Sequence, residues 1–456
     1  MILNDLQYSY EEVIGRIENS RRFGKHTGYE VSRHILEKLG HPEKGLPFVH
    51  VAGTNGKGST TAFLCKILEQ TGMKVGMFTS PHLVEFGERI RINGIQISKE
   101  NITRIGNLLL DTEFELPPTM FDYCMAMAVL YFKEQDCDIV VMETGIGGRY
   151  DSTNALGIPE VAVITKIGLD HIAILGNTLE EIAGEKAGII KEGCPVVTAP
   201  QQESVINVLL DNFNRVNHTH AAFYEVSEDD LTYVKGIPIR MLGGFQIENA
   251  ATAVLAAKLL FRKWSRCEFP SDGNLPTSDR ESSYGKVIQE SFQEDRQEQY
   301  IRAGLANTFW KGRMELINEH PFFMIDGAHN AHGVHALAES LQHLYPGEKF
   351  HFIMAVMADK DYEDMINELL PLALDFVTVT PESNRALQSK DLAECIARKG
   401  VKATYVEDME SVIKPLLPLG ENTQSQAVNG DAVSTEKTIA FGSLYFIGAI
   451  EALLKK

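Results

Sequence analysis

Short apolar runs alternate with helix-length amphipathic stretches along almost all of this 456-residue chain. No other feature constrains the fold as much. A strand, an amphipathic helix and another strand, repeated, demand parallel sheets covered by helices. "LPFVHVA" (46–52) reads as a buried strand. "KGSTTAFLCKILEQTG" (57–72) reads as a helix, with Phe63, Leu64, Ile67 and Leu68 on one face and Gly72 as its stop. "KVGMFTS", "DIVVME", "VAVIT" and "PVVTA" continue the series, and after Phe322 the rhythm restarts with "FFMID", "FHFIMAVM", "FVTVT", "ATYVE" and "TIAFG". The expectation is two α/β domains, each large enough to bury its own core.

Two stretches break the rhythm. Residues 271–300 are polar and lack apolar periodicity, and residues 418–437 have loop composition; both read as exposed insertions. The formal net charge of −19 removes the basic footprint that nucleic acid or an anionic membrane surface requires. No run of 18 or more apolar residues exists, and the N-terminus is polar and acidic, so neither a membrane span nor a signal peptide is expected. Six scattered cysteines without C-x-x-C spacing read as reduced thiols of a cytoplasmic protein.

Open α/β sheets bind ligands outside the carboxyl ends of their strands. The first strand runs into Gly53-Thr54-Asn55-Gly56-Lys57-Gly58-Ser59-Thr60 and then a helix. This is not the G-x-x-x-x-G-K-[ST] loop, because Val51 stands where the first glycine belongs and Gly58 follows the lysine. The physics of a phosphate cradle is nevertheless present: glycines that admit backbone amides, a helix N-terminus and a lysine. Later strands end in Ser80-Pro81, in Glu143, and just before Asp170-His171. Each alone reads equally well as a stopped strand, a solvated carboxylate or a structural histidine. Converging beside one phosphate loop, their oxygens and imidazole suit Mg²⁺. Thr178 and Glu181 form a capping box, so "NTLEEIAGEKAGIIKEG" opens a helix that carries Lys186. His218 and His220 read as a solvated loop, and Arg21, Arg22 and Lys25 as a local basic turn.

"HVAGTNGKGST", "FTSPHLVEFGERIRING", "ETGIGGRYDSTN", "GLDHIAILGNTLEEIAGEKAGI", "GGFQIENAATAV", "GRME", "DGAHN" and "FGSLYFIG" occur in this order. Together they closely resemble folylpolyglutamate synthase and its dihydrofolate synthase form, the folate branch of the Mur ligase family. In that family the loop reads G-T-x-G-K-G-[ST], so the departure at Val51 and Gly58 matches a working variant.

The resemblance implies a P-loop ATPase domain over 1–300, carrying the 271–300 insertion, and a Rossmann-like glutamate ligase domain over 304–456. It implies a cytoplasmic monomer joining ATP, a folate or dihydropteroate carboxylate and L-glutamate into an amide through an acyl phosphate. Asn55, Gly56, Lys57, Gly58, Ser59 and Thr60 would hold the phosphates, with Asn249 toward the adenine end and Arg313 and Asp326 as further ATP contacts. Ser80, Glu143 and His171 would bind two Mg²⁺ ions. Lys57, Lys186 and His329 would be catalytic, with Lys186 carbamylated. Lys25, His26, Thr27 and Gly28, then Thr119, Met120, Phe121 and Asp122, then Tyr150, Asp151 and Ser152 would bind the pterin, with Asp122 and Asp151 as carboxylate acceptors for its N–H groups. A monofunctional folylpolyglutamate synthase, a peptidoglycan-branch ligase and an ATP-gated binding protein are the alternatives. "SPHLVEFGERIRING" and "DSTN" favour the folate branch over the last two.

Overall fold

A computed structural model describes residues 7–20, 29–218, 221–266, 294–418 and 436–455. Arg21, Arg22, Lys25, His26, Thr27, Gly28, His220, Cys267, residues 271–293 and residues 419–435 lie outside the described residues. The chain divides into two compact units. One takes in Met1–Ser80, Phe86–Arg240 and Ile247–Phe309; the other takes in Pro81–Glu85, Met241–Gln246 and Trp310–Lys456.

The first unit is built on eight strands: β1 (Phe48–Ala52), β2 (Val75–Phe78), β3 (Ile90–Ile92), β4 (Ile95–Gln96), β5 (Ile139–Glu143), β6 (Val161–Ile164), β7 (Val196–Thr198) and β8 (Phe223–Glu225). They lie in the order β4-β3-β2-β5-β1-β6-β7-β8. All neighbours from β2 to β8 are parallel, and the β3–β4 hairpin is antiparallel at one edge. β1 is central and buried along its whole length, which is why its sequence is almost continuously apolar. Its one polar side chain, His50, lies on Thr153 Oγ1 at 2.8 Å. Burial, helped by the positive charge of Lys191, pushes His50 down to about 3, so the ring is neutral.

Helix Lys57–Glu69 packs against this sheet with Phe63, Leu64, Ile67 and Leu68 fully buried. Each such side chain contributes about 1.5–3 kcal/mol. On its other side lies helix Glu294–Asn307, where a Cβ on Gly304 would meet Ile67 Cα at 2.6 Å. Residues 294–300, polar enough to read as part of an insertion, therefore open a packed helix whose buried residues are Ile301, Gly304 and Leu305. The first unit accordingly runs on to Phe309, past the boundary at 304.

The second unit holds β9 (Glu315–Glu319), β10 (Phe322–Ile325), β11 (Phe350–Met354), β12 (Ala373–Val379), β13 (Ala403–Val406) and β14 (Lys437–Phe441), in the order β13-β12-β11-β14-β10-β9. β9 is antiparallel and the rest are parallel. Phe350, Phe352, Phe376 and Phe441 centre one face of its core, and Phe446, Ile447 and Ile450 the other. Among the described residues no helix is long and apolar enough to cross a membrane.

Candidate active site

Four adjacent strands of the first sheet, β2, β5, β1 and β6, end side by side. The loop after β1 is held by its neighbour: Thr54 N and Asn55 N donate to Lys166 O at 2.9 and 3.2 Å. The Thr54 hydroxyl exchanges hydrogen bonds with Gly168 O and N at 2.9 and 3.1 Å. Gly53 and Gly56 are required here. Their φ angles are +153° and +87°, and a Cβ would strike Thr165 Oγ1 at 1.8 Å or Asn249 Oδ1 at 2.1 Å. Asn249, expected toward the adenine end, therefore lies against Gly56 of the Gly53–Thr60 loop. Gly56 caps helix Lys57–Glu69 without any side-chain acceptor of its own. That leaves the first-turn amides facing the loop, where an anion is favoured. The buried Thr60 hydroxyl finds no hydrogen-bond partner among the described residues, and neither do those of Thr144 and Thr165 at the ends of β5 and β6.

Ser80 and Glu143 are brought together, with Ser80 N donating to Glu143 Oε2 at 3.3 Å and Glu143 only 3% exposed. His171 stands beyond β6 at a φ of +51°, its ring half-exposed and its Nε2 3.9 Å from Asp170 Oδ2.

Lys186 ends helix Leu179–Lys186, whose capping box joins Thr178 and Glu181. It does not snorkel outward. It is 4% exposed, and its Nζ donates to Gly53 O at 2.7 Å. Lys57 folds back onto the same carbonyl at 3.2 Å and onto Thr54 O at 3.3 Å. Burial first, and the charge of Lys57 second, bring the Lys186 amine down to about 7, against the opposing pull of Asp170 and Asp151.

"GIGGRYDSTN" explains how Lys186 is held. A Cβ on Gly148 would meet Lys186 O at 2.7 Å, and one on Gly188 would meet Arg149 Cα at 2.3 Å. That close approach lets Arg149 pair with Glu185 at 3.2 Å and donate to Gly184 O at 2.9 Å. Arg149 carried no signal in the sequence beyond its place in this motif.

Two of the three stretches expected to bind the pterin meet. Thr119 caps helix Met120–Glu134 in a capping box with Asp122, and Ser152 donates to Asp122 Oδ1 at 2.7 Å. Phe121 stacks at a tilt on Phe78 and closes over Gly145, while Tyr150 is exposed. The picture of two free carboxylate acceptors needs correction. Asp122 already accepts from Ser32 Oγ, Ser152 Oγ, Thr119 N and Thr119 Oγ1. Asp151 accepts from Gly145 N, Ile146 N, Thr153 N and Thr153 Oγ1. A carboxylate has about four lone-pair sites, and both sets are engaged. Ser32 sits in no recognisable pattern, and nothing in "DSTN" singled out Thr153, whose part depends on its hydrogen bonds to Asp151.

In the second unit Asp326 follows β10, 3% exposed, and accepts from Met314 N at 2.8 Å and Ala328 N at 2.7 Å. Burial raises its carboxyl while the nearby Arg313 charge opposes the shift. Arg313 lies against Gly327 and donates to Gly312 O at 3.0 Å. His329 Nδ1 is 2.8 Å from Gly327 O, which assigns that nitrogen the proton. "GRME" and "DGAHN" are thus parts of one constellation.

Residues 51–257 match the Mur ligase middle domain and residues 312–430 the Mur ligase glutamate ligase domain, which sets the class as that of the Mur ligases. The dihydrofolate synthase/folylpolyglutamate synthase of Bacillus subtilis is 35% identical over 98% of this chain and 99% of its own. The chain belongs to the dihydrofolate synthase/folylpolyglutamate synthase family. Among solved structures, the folylpolyglutamate synthase of Thermotoga maritima is similar at a TM-score of 0.73, with 28% identity over 98% of this chain and 97% of that one. That of Mycobacterium tuberculosis, complexed with ADP, is similar at 0.76, with 25% identity over 99% of both chains.

Proposed function

We propose that this chain is an ATP-dependent ligase that joins L-glutamate to the terminal carboxylate of a (tetrahydro)folate through an acyl phosphate, and that it also joins glutamate to dihydropteroate. The observation that carries the reading is the loop Gly53–Thr60, with amides, Lys57 and Lys186 gathered at the ends of four parallel strands. A carboxylate is inert toward an amine, so the γ-phosphoryl group is first transferred to a carboxylate oxygen and ADP departs. The amine of glutamate then attacks the acyl carbon, the C–O bond to phosphate breaks, and the nitrogen gives up its proton. Lys57 and the loop amides stabilise charge on the transferring group. Asn249, Arg313 and Asp326 serve as further ATP contacts, and His329 as a catalytic residue.

The donor set fits Mg²⁺: a buried carboxylate in Glu143, Ser80 beside it, and the unpartnered Thr60 hydroxyl, all hard oxygens, with His171 as the nitrogen ligand. When bound, Mg²⁺ neutralises phosphate charge. Lys186, neutral above about pH 7, is suited to attack CO₂ through Nζ, releasing a proton and becoming a carbamate. The pterin is assigned to Lys25, His26, Thr27, Gly28, Thr119, Met120, Phe121, Tyr150 and Ser152, with Asp122 and Asp151 holding the last two stretches in place rather than accepting from the ligand. Phe121 and Tyr150 offer it aromatic surface. Five described cysteines are buried free thiols, which accords with a cytoplasmic setting. The protein is taken to act as a monomer.

ADP release in the presence of L-glutamate tests this reading. Turnover with tetrahydrofolate and with dihydropteroate supports both activities. Turnover with tetrahydrofolate alone leaves a monofunctional synthase, and turnover with neither refutes the reading.

A further inference from the structure

The second unit contains a carboxyl pair, one half-buried and one buried, for which the proposed chemistry has no use. Glu315 opens β9, and Glu451 lies 1% exposed on helix Leu444–Leu454. Both carboxyl groups grip the same Lys311–Gly312 turn, and the charge of Glu451 acts on Glu315. Glu315 Oε2 accepts from Gly312 N at 2.7 Å. Glu451 Oε2 takes the ammonium of Lys311, while its other oxygen, Oε1, is buried and finds no donor among the described residues. Two carboxylates held on one turn, one of them buried, resist ionising together. One proton shared between them supplies the missing donor and removes the repulsion. Burial, reinforced by the charge of Glu451, pushes the Glu315 carboxyl up to about 7, against the opposing effects of the Gly312 amide and Lys311.

The turn that this pair grips carries Arg313. On either side of Arg313 the backbone is left-handed, with φ of +66° at Gly312 and +43° at Met314. For a side chain such as Met that conformation costs about 1–2 kcal/mol, and it persists only where the surroundings enforce it. Here two carboxylates enforce it from opposite ends. Glu315 holds Gly312 N and Asp326 holds Met314 N, at 2.7 and 2.8 Å. Gly327 N also ties Gly312 O at 2.8 Å, and Ile447, one turn before Glu451, packs over Gly312. The charged groups facing Glu315 are Glu451 from the helix and Lys311 from the turn, and Arg313 and Asp326 face each other beyond it.

We propose that Glu315 and Glu451, sharing one proton, form a clamp that positions Arg313, and that nucleotide affinity weakens when the clamp loses that proton. The proposal rests on the reading of Arg313 as an ATP contact. Glu315 is a positioning residue, since it acts through the Gly312 amide and touches no reacting atom.

The test compares the full-length wild type with Glu451→Gln, Glu315→Gln and Arg313→Ala. KM for ATP and kcat are measured from pH 6 to pH 9, and the Glu315 carboxyl is titrated by ¹³C NMR. In Glu451→Gln the amide supplies the donor at every pH. The wild-type KM for ATP should therefore rise roughly 3- to 10-fold relative to that variant across neutrality, since one unit of coupling is worth about tenfold. Glu315 should titrate near neutrality in the wild type and in the ordinary carboxylate range in Glu451→Gln. Thermal melting checks that each variant folds, and Glu315→Gln, which should also flatten the profile, takes over if Glu451→Gln does not. Parallel profiles in wild type and variant, or an ordinary Glu315 titration in the wild type, overturn the clamp. Should Glu315 titrate near neutrality while Arg313→Ala keeps the wild-type KM, the clamp stands and the ATP reading of Arg313 falls, along with the predicted effect on affinity.

Discussion

Lys186 and Lys57 bring two amino groups to one carbonyl, that of Gly53, at 2.7 and 3.2 Å. With Lys186 buried, one of the two does best without its proton. Its amine is brought down to about 7 in the folded chain and sits near 10.4 when the chain is unfolded. Between those values the unfolded state binds more protons, so stability rises with pH across the window and is lowest below it. In bicarbonate-free buffer the wild type should gain on Lys186→Met by a few kcal/mol, order of magnitude, from pH 7 to pH 10. Chemical denaturation of both proteins measures the difference, and a flat difference contradicts the burial argument. Lys186→Ala should be nearly inactive, with partial rescue by acetate if a carbamate is the working form.

Gly56→Ala should reduce ATP affinity by at least about tenfold, because the residue sits at a φ of +87° with Asn249 Oδ1 in the way. The strain costs about 1–3 kcal/mol. Isothermal titration with a non-hydrolysable ATP analogue reads the loss. Asn249→Ala in the same background should restore part of the lost thermal stability by removing the obstacle, and no restoration would show that the backbone angle alone is responsible.

Glu143→Ala should abolish turnover, and His171→Ala should raise the Mg²⁺ concentration needed for half-maximal rate. Glu143 is buried against Ser80 N, whereas the His171 ring is half-exposed. A buried carboxylate is the harder oxygen donor to replace. Mg²⁺ titrations of initial rate decide it; unchanged dependence in both variants removes these residues from the metal site.

Asp122→Asn should destabilise the first unit by about 1–3 kcal/mol, because the new NH₂ faces groups that already donate. Those groups are Ser32, Ser152 and Thr119. Thermal melting measures this without any substrate. A stability equal to wild type would mean that the carboxylate is available to a ligand after all.

Much of the fold was legible because buried parallel strands announce themselves as nearly continuous apolar runs, as β1, β2, β5, β6, β7, β10 and β11 do, while β12, β13 and β14 are less buried and were legible from the repeating rhythm. β3 and β4 were overlooked although Asn93-Gly94, at φ +47° and +78°, is the turn that a two-residue hairpin asks for. β8 and β9 are short or half-exposed edge strands and carry no such run. Within the site, glycines and the lysine pointed to the phosphate loop because their chemistry is local. The engagement of Asp122 and Asp151, and the packing of Asn249 on Gly56, depend on side chains distant in sequence. No spacing rule could have supplied them.

Glutamate ligation through an acyl phosphate moves one carboxylate oxygen onto the phosphate that leaves. The most direct measurement uses tetrahydrofolate carrying ¹⁸O in its terminal carboxylate, with ATP and L-glutamate, and follows both products by mass spectrometry. Ligation through an acyl phosphate should give a folate heavier by one glutamate residue and one ¹⁸O atom in the inorganic phosphate released per turnover. ATP consumption that yields neither the longer folate nor labelled phosphate would contradict it.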